Sequence, residues 1–596
     1  MSEALKHRGP DDSNLCLYPS ARAGFAFRRL ALVDLVTGNQ PIANEDQTMH
    51  LVVNGEIYNH RELHWELERT SHAFRTSTDV EVVLHLYEEH GTSGFRRLNG
   101  MFGLAILDTR ANRLVLARDP AGMKPLYYAF TASGFLFASE PRALLASNLV
   151  EKAPDWDALD TYLAVGYTPA PRTCFKGISK LKAGHLLYVE ENGSHEETYW
   201  RLGYRQDRPR ADEREYAEEL ERLLRGAVRS HLDADVPLGA LISGGWDSSL
   251  VGLMATQIST QRLKTFSIVF PDHPEADESP YSRLLAERAG TEHREIEFRA
   301  EDVPRVLPAA ARHLGEPCLA SPFLLLYQLS WLAASSVKAV VGGEGSDEQF
   351  AGYHWLQARS ELYYWLRRAA PRRPLRYAAE RANHLQLGRV SRILAAADDL
   401  AADSEWYRIL SPPERGCLFL SDPCIDHPDV QPVRLDPETH ATCRNHLERR
   451  LALEFTRRLP EGILLVADRM SMAHSLEVRM PFLDANILEF SAALPARMRR
   501  RGRQEKYILS LLKGLLPEGI ARRKKFGLVA PMKRYLAGPL RNWAREALLD
   551  SSCLGGHLDR AKLEVLLARW LNDSDAYARR PWALILLQTW WDQYFE

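Results

Sequence analysis

The sequence predicts two domains of mixed α/β and α+β type. Residues 1–200 should form an α+β sandwich of layered sheets, and residues 213–596 a doubly wound parallel sheet with extra helices. Three observations carry this. A glycine-rich stretch, Ser243-Gly244-Gly245-Trp246-Asp247-Ser248-Ser249, separates the apolar run Val236–Ile242 from the helix-like Leu250–Ala255. After it, strand-like and helix-like segments alternate, as a parallel sheet with crossover helices requires. Before residue 200, short β-type runs recur with helical patterns between them, and 596 residues exceed what one core usually holds.

In order, the β-type runs of the first part are Gly24–Phe27, Met49–Val53, Met101–Leu107, Arg113–Ala117, Phe135–Ala138 and His185–Val189. Arg61–Glu68 and Val80–His90 carry apolar residues at helical spacing, and Asp79 stands where an N-cap for the second is expected. Residues 201–212 are polar, contain Pro209 and read as an interdomain linker. A helix is expected from Glu213 to about Leu232. The alternation that follows is strand Thr265–Phe270, helix Tyr281–Ala289, strand His293–Phe298, helix Pro322–Ala334 and strand Lys338–Val341. Beyond Ala351 the pattern is mostly helical, and Ala369–Asp403 is the least informative part.

Composition narrows the function. With 45% hydrophobic and 26% charged residues the chain is ordinary globular protein, and its net charge of −2 gives no electrostatic case for nucleic acid or an anionic membrane. Seven cysteines are scattered without a C-x-x-C pair or metal spacing, which fits a reducing, cytoplasmic setting. The most apolar stretch, Pro322–Val341, is interrupted by polar residues and reads as a buried helix running into a strand rather than a membrane span.

The Ser243 loop sits between a strand and a helix N-terminus, an arrangement that binds anions. Its glycines allow backbone N–H groups close to a phosphate, its serines add donors, and Asp247 suits a magnesium ion. No Gly-Lys-Ser/Thr follows, so it is not a Walker loop. An ordinary turn uses the same residue types, but the full string resembles the pyrophosphate loop of the ATP pyrophosphatases. A second loop, Gly342–Tyr353, follows the Val341 strand and should face the same crevice. Its acidic residues would repel phosphate unless they bind metal or act as bases. A third segment, Ala467–Asp484, reads as an amphipathic helix stopping before Pro481, its methionines serving the core and its charges an ion-pair network.

Together, Ser243–Ser249, Glu344–Tyr353, Asp468–Asp484, Glu505–Leu509 and Trp582–Trp590 resemble the glutamine-dependent asparagine synthetases. The resemblance implies that ATP and Mg²⁺ activate an aspartate carboxylate as an acyl-adenylate, which ammonia then attacks. It implies that Ser243, Gly244, Gly245, Asp247, Ser248 and Ser249 hold ATP phosphates, and that Leu241, Ile268, Gly342 and Gly343 line the nucleoside pocket. Glu344 would handle protons, Asp247 and Asp347 would bind metal, and Lys506 would neutralise the departing pyrophosphate. On its own, Lys506 is one more cation beside the basic run Arg499–Arg503, which could be a solvated face. Trp246 replaces the family's usual leucine and is expected to pack on the sheet; Gly342 stands where many members have serine.

In the N-terminal part, His7–Asp12, Arg28–Asp34, Asn54–Asn59, Arg118-Asp119 and Lys124–Tyr128 resemble the same family, implying the αββα sandwich of N-terminal-nucleophile hydrolases. The resemblance places the glutamine α-carboxylate on Arg29, with Leu30 and Val33 nearby. It assigns the oxyanion hole to Asn54 and Gly55, and the substrate ammonium to Glu56 and Asp79. The family's nucleophile is an N-terminal cysteine that activates itself through its own amine. Here the chain starts Met1-Ser2, and the His7 loop is expected roughly twenty residues further in. The cysteine and first strand therefore have no counterpart. Either the start is mis-assigned or trimmed, or the chain cannot hydrolyse glutamine; as written it is expected to need free ammonia. A homodimer is also implied. Two alternatives stand: a relative amidating or cyclising another carboxylate, where Glu344 argues against ring closure because β-lactam-forming relatives have tyrosine there, and an N-terminal domain that only binds or assembles.

Overall fold

The computed structural model describes residues 1–70, 72–205, 212–320, 322–369, 390–394, 396, 399–420, 434–502, 504–523, 527–550, 554–572 and 579–596. Most of Ala369–Asp403, residues 206–211 of the expected linker and Arg503 lie outside them.

The first part is built from β1 (Asp12–Tyr18), β2 (Ala23–Arg29), β3 (Ile42–Ala43), β4 (Met49–Ile57), helices α1 (His60–Glu68) and α2 (Glu81–His90), then β5 (Gly100–Asp108), β6 (Arg113–Arg118), β7 (Tyr127–Thr131) and β8 (Gly134–Ala138). Helices α3 (Pro141–Leu145) and α4 (Trp156–Val165) follow, and then β9 (Ser179–Lys180), β10 (His185–Glu190) and β11 (Gly193–Thr198). An antiparallel sheet runs in the order β11-β10-β6-β5-β4-β3; β1-β2 and β8-β7-β9 form two smaller antiparallel pieces.

Alternation along each strand sorts its side chains between two cores. On β5, Leu104 and Ile106 join the residues of α1 and α2, while Ala105 and Leu107 meet Phe25 of β2 and Tyr128 of β7. On β7, Tyr127 and Ala129 face the opposite way, against α3 and α4. The order is helix, sheet, sheet, helix, as expected. Asp79 does not cap α2: the N-cap residue is Val80, without a side-chain bond. The Asp79 carboxylate instead accepts the Ile57 N–H at 2.6 Å, tying α2 to the end of β4.

The second part opens with α5 (Glu213–His231), started by an Asp212/Glu215 capping box. Next come β12 (Leu238–Leu241), α6 (Trp246–Ile258), β13 (Lys264–Val269), α7 (Ser279–Ala289), β14 (Glu292–Glu297), α8 (Asp302–Leu314), α9 (Phe323–Ala334), β15 (Ala339–Val341) and α10 (Ser346–Phe350). With β16 (Glu477–Arg479) the strands form one all-parallel sheet, ordered β14-β13-β12-β15-β16. Residues of α5 and α6 cover one face, against Ala240, Ile242 and Val341; residues of α8 and α9 cover the other, against Leu241, Phe266, Ile268 and Val340. The apolar stretch from Pro322 is α9 running into β15, and among the described residues no helix is long and apolar enough to cross a membrane.

One expectation is overturned. Ala467–Asp484 is not a single amphipathic helix: the helix Leu465–Met472 is buried on all sides, the chain turns at Ser475 (φ 54°), and Glu477–Arg479 becomes the edge strand β16. The cause is pairing, since Val478 stands opposite Val340 of β15. The charges of this segment meet partners from the first 200 residues.

Candidate functional site

β12 and β15 end side by side, and each delivers a glycine turn to the same edge of the sheet. In the β12 turn Gly244 has φ 73°, and a Cβ there would lie 2.4 Å from Tyr281 Cβ. Ser248 Oγ lies 3.1 Å from Ser243 Oγ and accepts the Ser243 N–H at 3.1 Å, and Gly245 N–H donates to Ser243 Oγ at 3.3 Å. Ser249 Oγ is buried and has no hydrogen-bond partner among the described residues. Gly343 lets the second turn press on the first, for a Cβ on it would fall 2.7 Å from Ser248 N and 3.0 Å from the Asp247 carbonyl carbon. Leu241 and Ile268 are buried near the ends of β12 and β13.

Between the turns lies a charge cluster. Lys506, only 2% exposed, is held with φ 48° and places Nζ against the carboxylates of both Asp247 and Asp347. Ser346 Oγ donates to Asp247 Oδ1 at 2.8 Å and accepts from Lys506 Nζ at 3.2 Å. Buried next to two aspartates, the ammonium keeps its proton far above neutrality. Glu344 folds back over Gly342, where a Cβ would come within 2.2 Å of its Oε2. Among the described residues that oxygen has no hydrogen-bond partner, and burial, then the charge of Asp247, pushes its carboxyl above the usual range. The structure thus brings Ser243–Ser249, Gly342, Gly343, Glu344, Asp347 and Lys506 together in one cluster.

Trp246 is partly buried against the core that α5 and α6 share with one face of the sheet. It opens α6, its Nε1–H donates to the Ile520 carbonyl at 3.0 Å, and Lys513 Nζ sits 4.4 Å from its ring centre. The basic run is not a uniformly solvated face. Arg499 is fully buried beside Glu448 and the Ser491 carbonyl, whereas Arg501 meets Glu213 at the surface.

A cavity of about 270 Å³ opens in the N-terminal sandwich, and Arg29, Leu30, Val33, Asn54, Gly55, Glu56 and Asp79 all line it. None of the described cysteines does. The guanidinium of Arg29 donates to the Val33 carbonyl at 3.1 Å and to that of Asp34. Gly55, at φ 152°, meets the opposite strand so closely that a Cβ would sit 1.9 Å from the Met101 carbonyl oxygen. Glu56 and Asp79 are buried close to each other. Burial, then the charge of Asp79, raises the Glu56 carboxyl well above its ordinary value, and burial raises Asp79.

Met472 and Glu477 of the other half close this cavity. Around them runs a buried ion network. Arg8 grips Asp468 with two bonds of 2.8 and 2.9 Å, Arg469 lies 2.8 Å from Glu140, and Lys124 lies 3.1 Å from Glu477. Arg479 lies 3.0 Å from Glu477 and 3.2 Å from Glu56. The strand beside β15 therefore touches the cavity through Arg479 and Glu56. Sequence reasoning missed Arg479 and Ser346 as site residues. Ser346 stands inside a motif already singled out, but no local signal marks a partner as distant as Glu56.

A parallel sheet with two facing glycine turns, joined to a four-layer sandwich that holds a cavity lined by Arg29, Asn54, Glu56 and Asp79, is the build of a ligase with an amidotransferase domain. The glutamine amidotransferase domain profile matches residues 1–200 and the asparagine synthase profile residues 219–592. The chain belongs to the asparagine synthase family and is a ligase of that type. It is 28% identical over 615 residues to asparagine synthetase (glutamine-hydrolyzing) 1 of Bacillus subtilis (strain 168), covering 99% of this chain and 92% of that protein. A putative asparagine synthetase (glutamine-hydrolyzing) of Mycobacterium tuberculosis (strain ATCC 25618 / H37Rv) is 31% identical over 613 residues, with the same coverage of 99% and 92%. Asparagine synthetase (glutamine-hydrolyzing) 3 of B. subtilis is 30% identical over 591 residues, covering 95% and 89%.

Proposed function

We propose that the chain converts aspartate, ATP and ammonia into asparagine, AMP and pyrophosphate, with a β-aspartyl adenylate between the two half-reactions. The observation that carries this is the Lys506 ammonium between Asp247 and Asp347, at the meeting of two glycine turns and beside the buried carboxyl of Glu344. A side-chain carboxylate of aspartate attacks the α-phosphorus of ATP, and the bond to the β-phosphate oxygen breaks. Backbone N–H groups and hydroxyls of Ser243–Ser249 hold the phosphates, and Lys506 meets the negative charge that grows on the leaving pyrophosphate. Ammonia then adds to the acyl carbon, AMP leaves with the bonding electrons, and Glu344 takes a proton from the attacking nitrogen. Burial raises the carboxyl of Glu344 above the ordinary carboxylate range, which makes it a stronger base than an exposed carboxylate.

The donor set fits Mg²⁺, because two carboxylates from separate turns already converge on one positive charge. Asp247 and Asp347 would hold the ion, which when bound offsets phosphate charge. In the N-terminal cavity we assign Arg29 to the α-carboxylate of glutamine, Glu56 and Asp79 to its ammonium, and Asn54 with the Gly55 N–H to the amide oxygen. Two buried carboxyls, Glu56 raised further by the charge of Asp79, favour a cationic group between them.

The test is pyrophosphate release with ATP and Mg²⁺ across a panel of carboxylic acids, with ammonium and with glutamine as separate nitrogen donors. Aspartate-dependent release matched by asparagine formation is expected. Release that depends on another acid, or none with aspartate, rejects the assignment.

A further inference from the structure

In the helical layer of the sandwich, beside α2, four potential ligands converge. Glu45 lies in the loop after β3, His72 in the loop after α1, and His85 and Glu88 stand one turn apart on α2. One donor atom from each lies within 4.8 Å of all the others. His72 Nδ1 is 3.3 Å from Glu45 Oε1 and 3.8 Å from Glu88 Oε2; His85 Nδ1 is 3.7 Å from Glu45 Oε2 and 3.2 Å from Glu88 Oε2. Ligands of a tetrahedral zinc ion, each about 2.0–2.2 Å from the metal, are about 3.3–3.6 Å apart.

We propose that Glu45, His72, His85 and Glu88 bind a divalent first-row transition ion, Zn²⁺ by the character of the donor set. Two imidazole nitrogens with two carboxylate oxygens suit that ion better than Mg²⁺ or Ca²⁺, which take oxygen donors.

The groups behind the four ligands support the assignment. The outward nitrogen of His72 is hydrogen-bonded to Glu89 Oε1 at 3.0 Å, whereas that of His85 lies 3.6 Å from Glu81 Oε1, a charge contact and not a hydrogen bond. A carboxylate behind a ligating imidazole fixes its tautomer and raises its basicity, an arrangement typical of metal-bound histidines. The ligating carboxylates are themselves aimed: Ala73 N–H donates to Glu45 at 2.9 Å, and the Asn44 side chain donates to Glu88 Oε1 at 2.7 Å. Four carboxylates around two imidazoles leave the cluster short of positive charge. The His85 side chain is fully buried while that of Glu45 is 35% exposed, so an ion can enter from the Glu45 side.

The ion would be structural, pinning two loops to α2. Glu81 links it to the cavity, since its carboxylate also accepts the Arg75 and Thr76 N–H groups at 2.9 and 2.8 Å. Those residues lead directly to Thr78 and Asp79 on the cavity wall.

The full chain, stripped with a chelator, is titrated with Zn²⁺ against a chromophoric competitor, and its melting is followed with and without the ion. Uptake of one ion per chain with a raised melting temperature is expected. His72→Asn should weaken binding by roughly a hundredfold or more, and the surface change Glu89→Gln, which touches only the support, by about tenfold. Circular dichroism checks the fold of each variant. If His72→Asn does not fold, Glu89→Gln decides. No uptake by the wild-type chain, or unchanged affinity in the folded variants, overturns the proposal.

Discussion

Replacing Lys506 by methionine removes one charge and keeps most of the side chain's length. The ammonium contacts Asp247 and Asp347 and lies 3.2 Å from Ser346 Oγ. Two effects separate. Stripping one partner from a fully buried ion pair costs about 3–5 kcal/mol. Here the aspartate side chains are 20% and 22% exposed, and water recovers part of that, so a loss of ~2 kcal/mol is expected. Mg²⁺ should restore some of it, because the ion takes over the charge that the two carboxylates lack. The catalytic effect is different in kind. A preorganised donor facing charge that develops in the transition state contributes roughly 10²–10³ in kcat. Thermal melting with and without Mg²⁺ reads the first effect, and steady-state pyrophosphate release with aspartate, ATP and ammonium reads the second. If kcat stays within about fivefold of wild type, a barrier change of only ~1 kcal/mol, while the melting temperature falls, Lys506 is a counter-ion and the catalytic role is refuted.

Three further outcomes are expected. The rate should fall on the acid side at a pH above the usual carboxylate range of about 4, because burial raises Glu344 and its protonated form cannot act as a base. Glu344→Gln should lower kcat and erase that limb; a surviving limb assigns it to another group. Glu56→Gln should raise the melting temperature at pH 8. The folded pKa of Glu56 lies above its unfolded value, so its contribution favours folding at low pH and is lost as pH rises through the folded pKa. The gain should vanish toward pH 4, and a drop at pH 8 would mean that the pairing with Arg479 outweighs burial and the charge of Asp79. Gly343→Ala places a Cβ 2.7 Å from Ser248 N. Overpacking of about 1–3 kcal/mol should raise KM for ATP by roughly tenfold or more, and an unchanged KM would separate this joint from the nucleotide.

The parts legible in the sequence are those with local causes. The strands from Met49, Met101, Arg113, His185, Thr265 and His293 appear within a few residues of their expected bounds, because period-2 alternation or continuous apolar runs mark them. The Ser243 and Gly342 turns were legible for the same reason, as glycine joints after apolar strands. What escaped depends on distant partners. The charges of Asp468, Arg469, Glu477 and Arg479 do form the expected ion-pair network, but their partners Arg8, Glu140, Lys124 and Glu56 lie hundreds of positions earlier and no local pattern names them. Asp79 has the right residue type and place for a cap, but β4 offers it the Ile57 N–H instead. Trp246 turns toward Ile520, which no periodicity connects to it.

The central claim is that aspartate is activated by bonding to the α-phosphorus of ATP. Labelling the side-chain carboxylate of aspartate with ¹⁸O and following the label through a reaction with ATP, Mg²⁺ and ammonium tests it directly. Collapse of the adenylate leaves one labelled oxygen on AMP and one in asparagine, and mass spectrometry of the nucleotide should find that label. Unlabelled AMP, or ADP with the label in inorganic phosphate, would contradict the account.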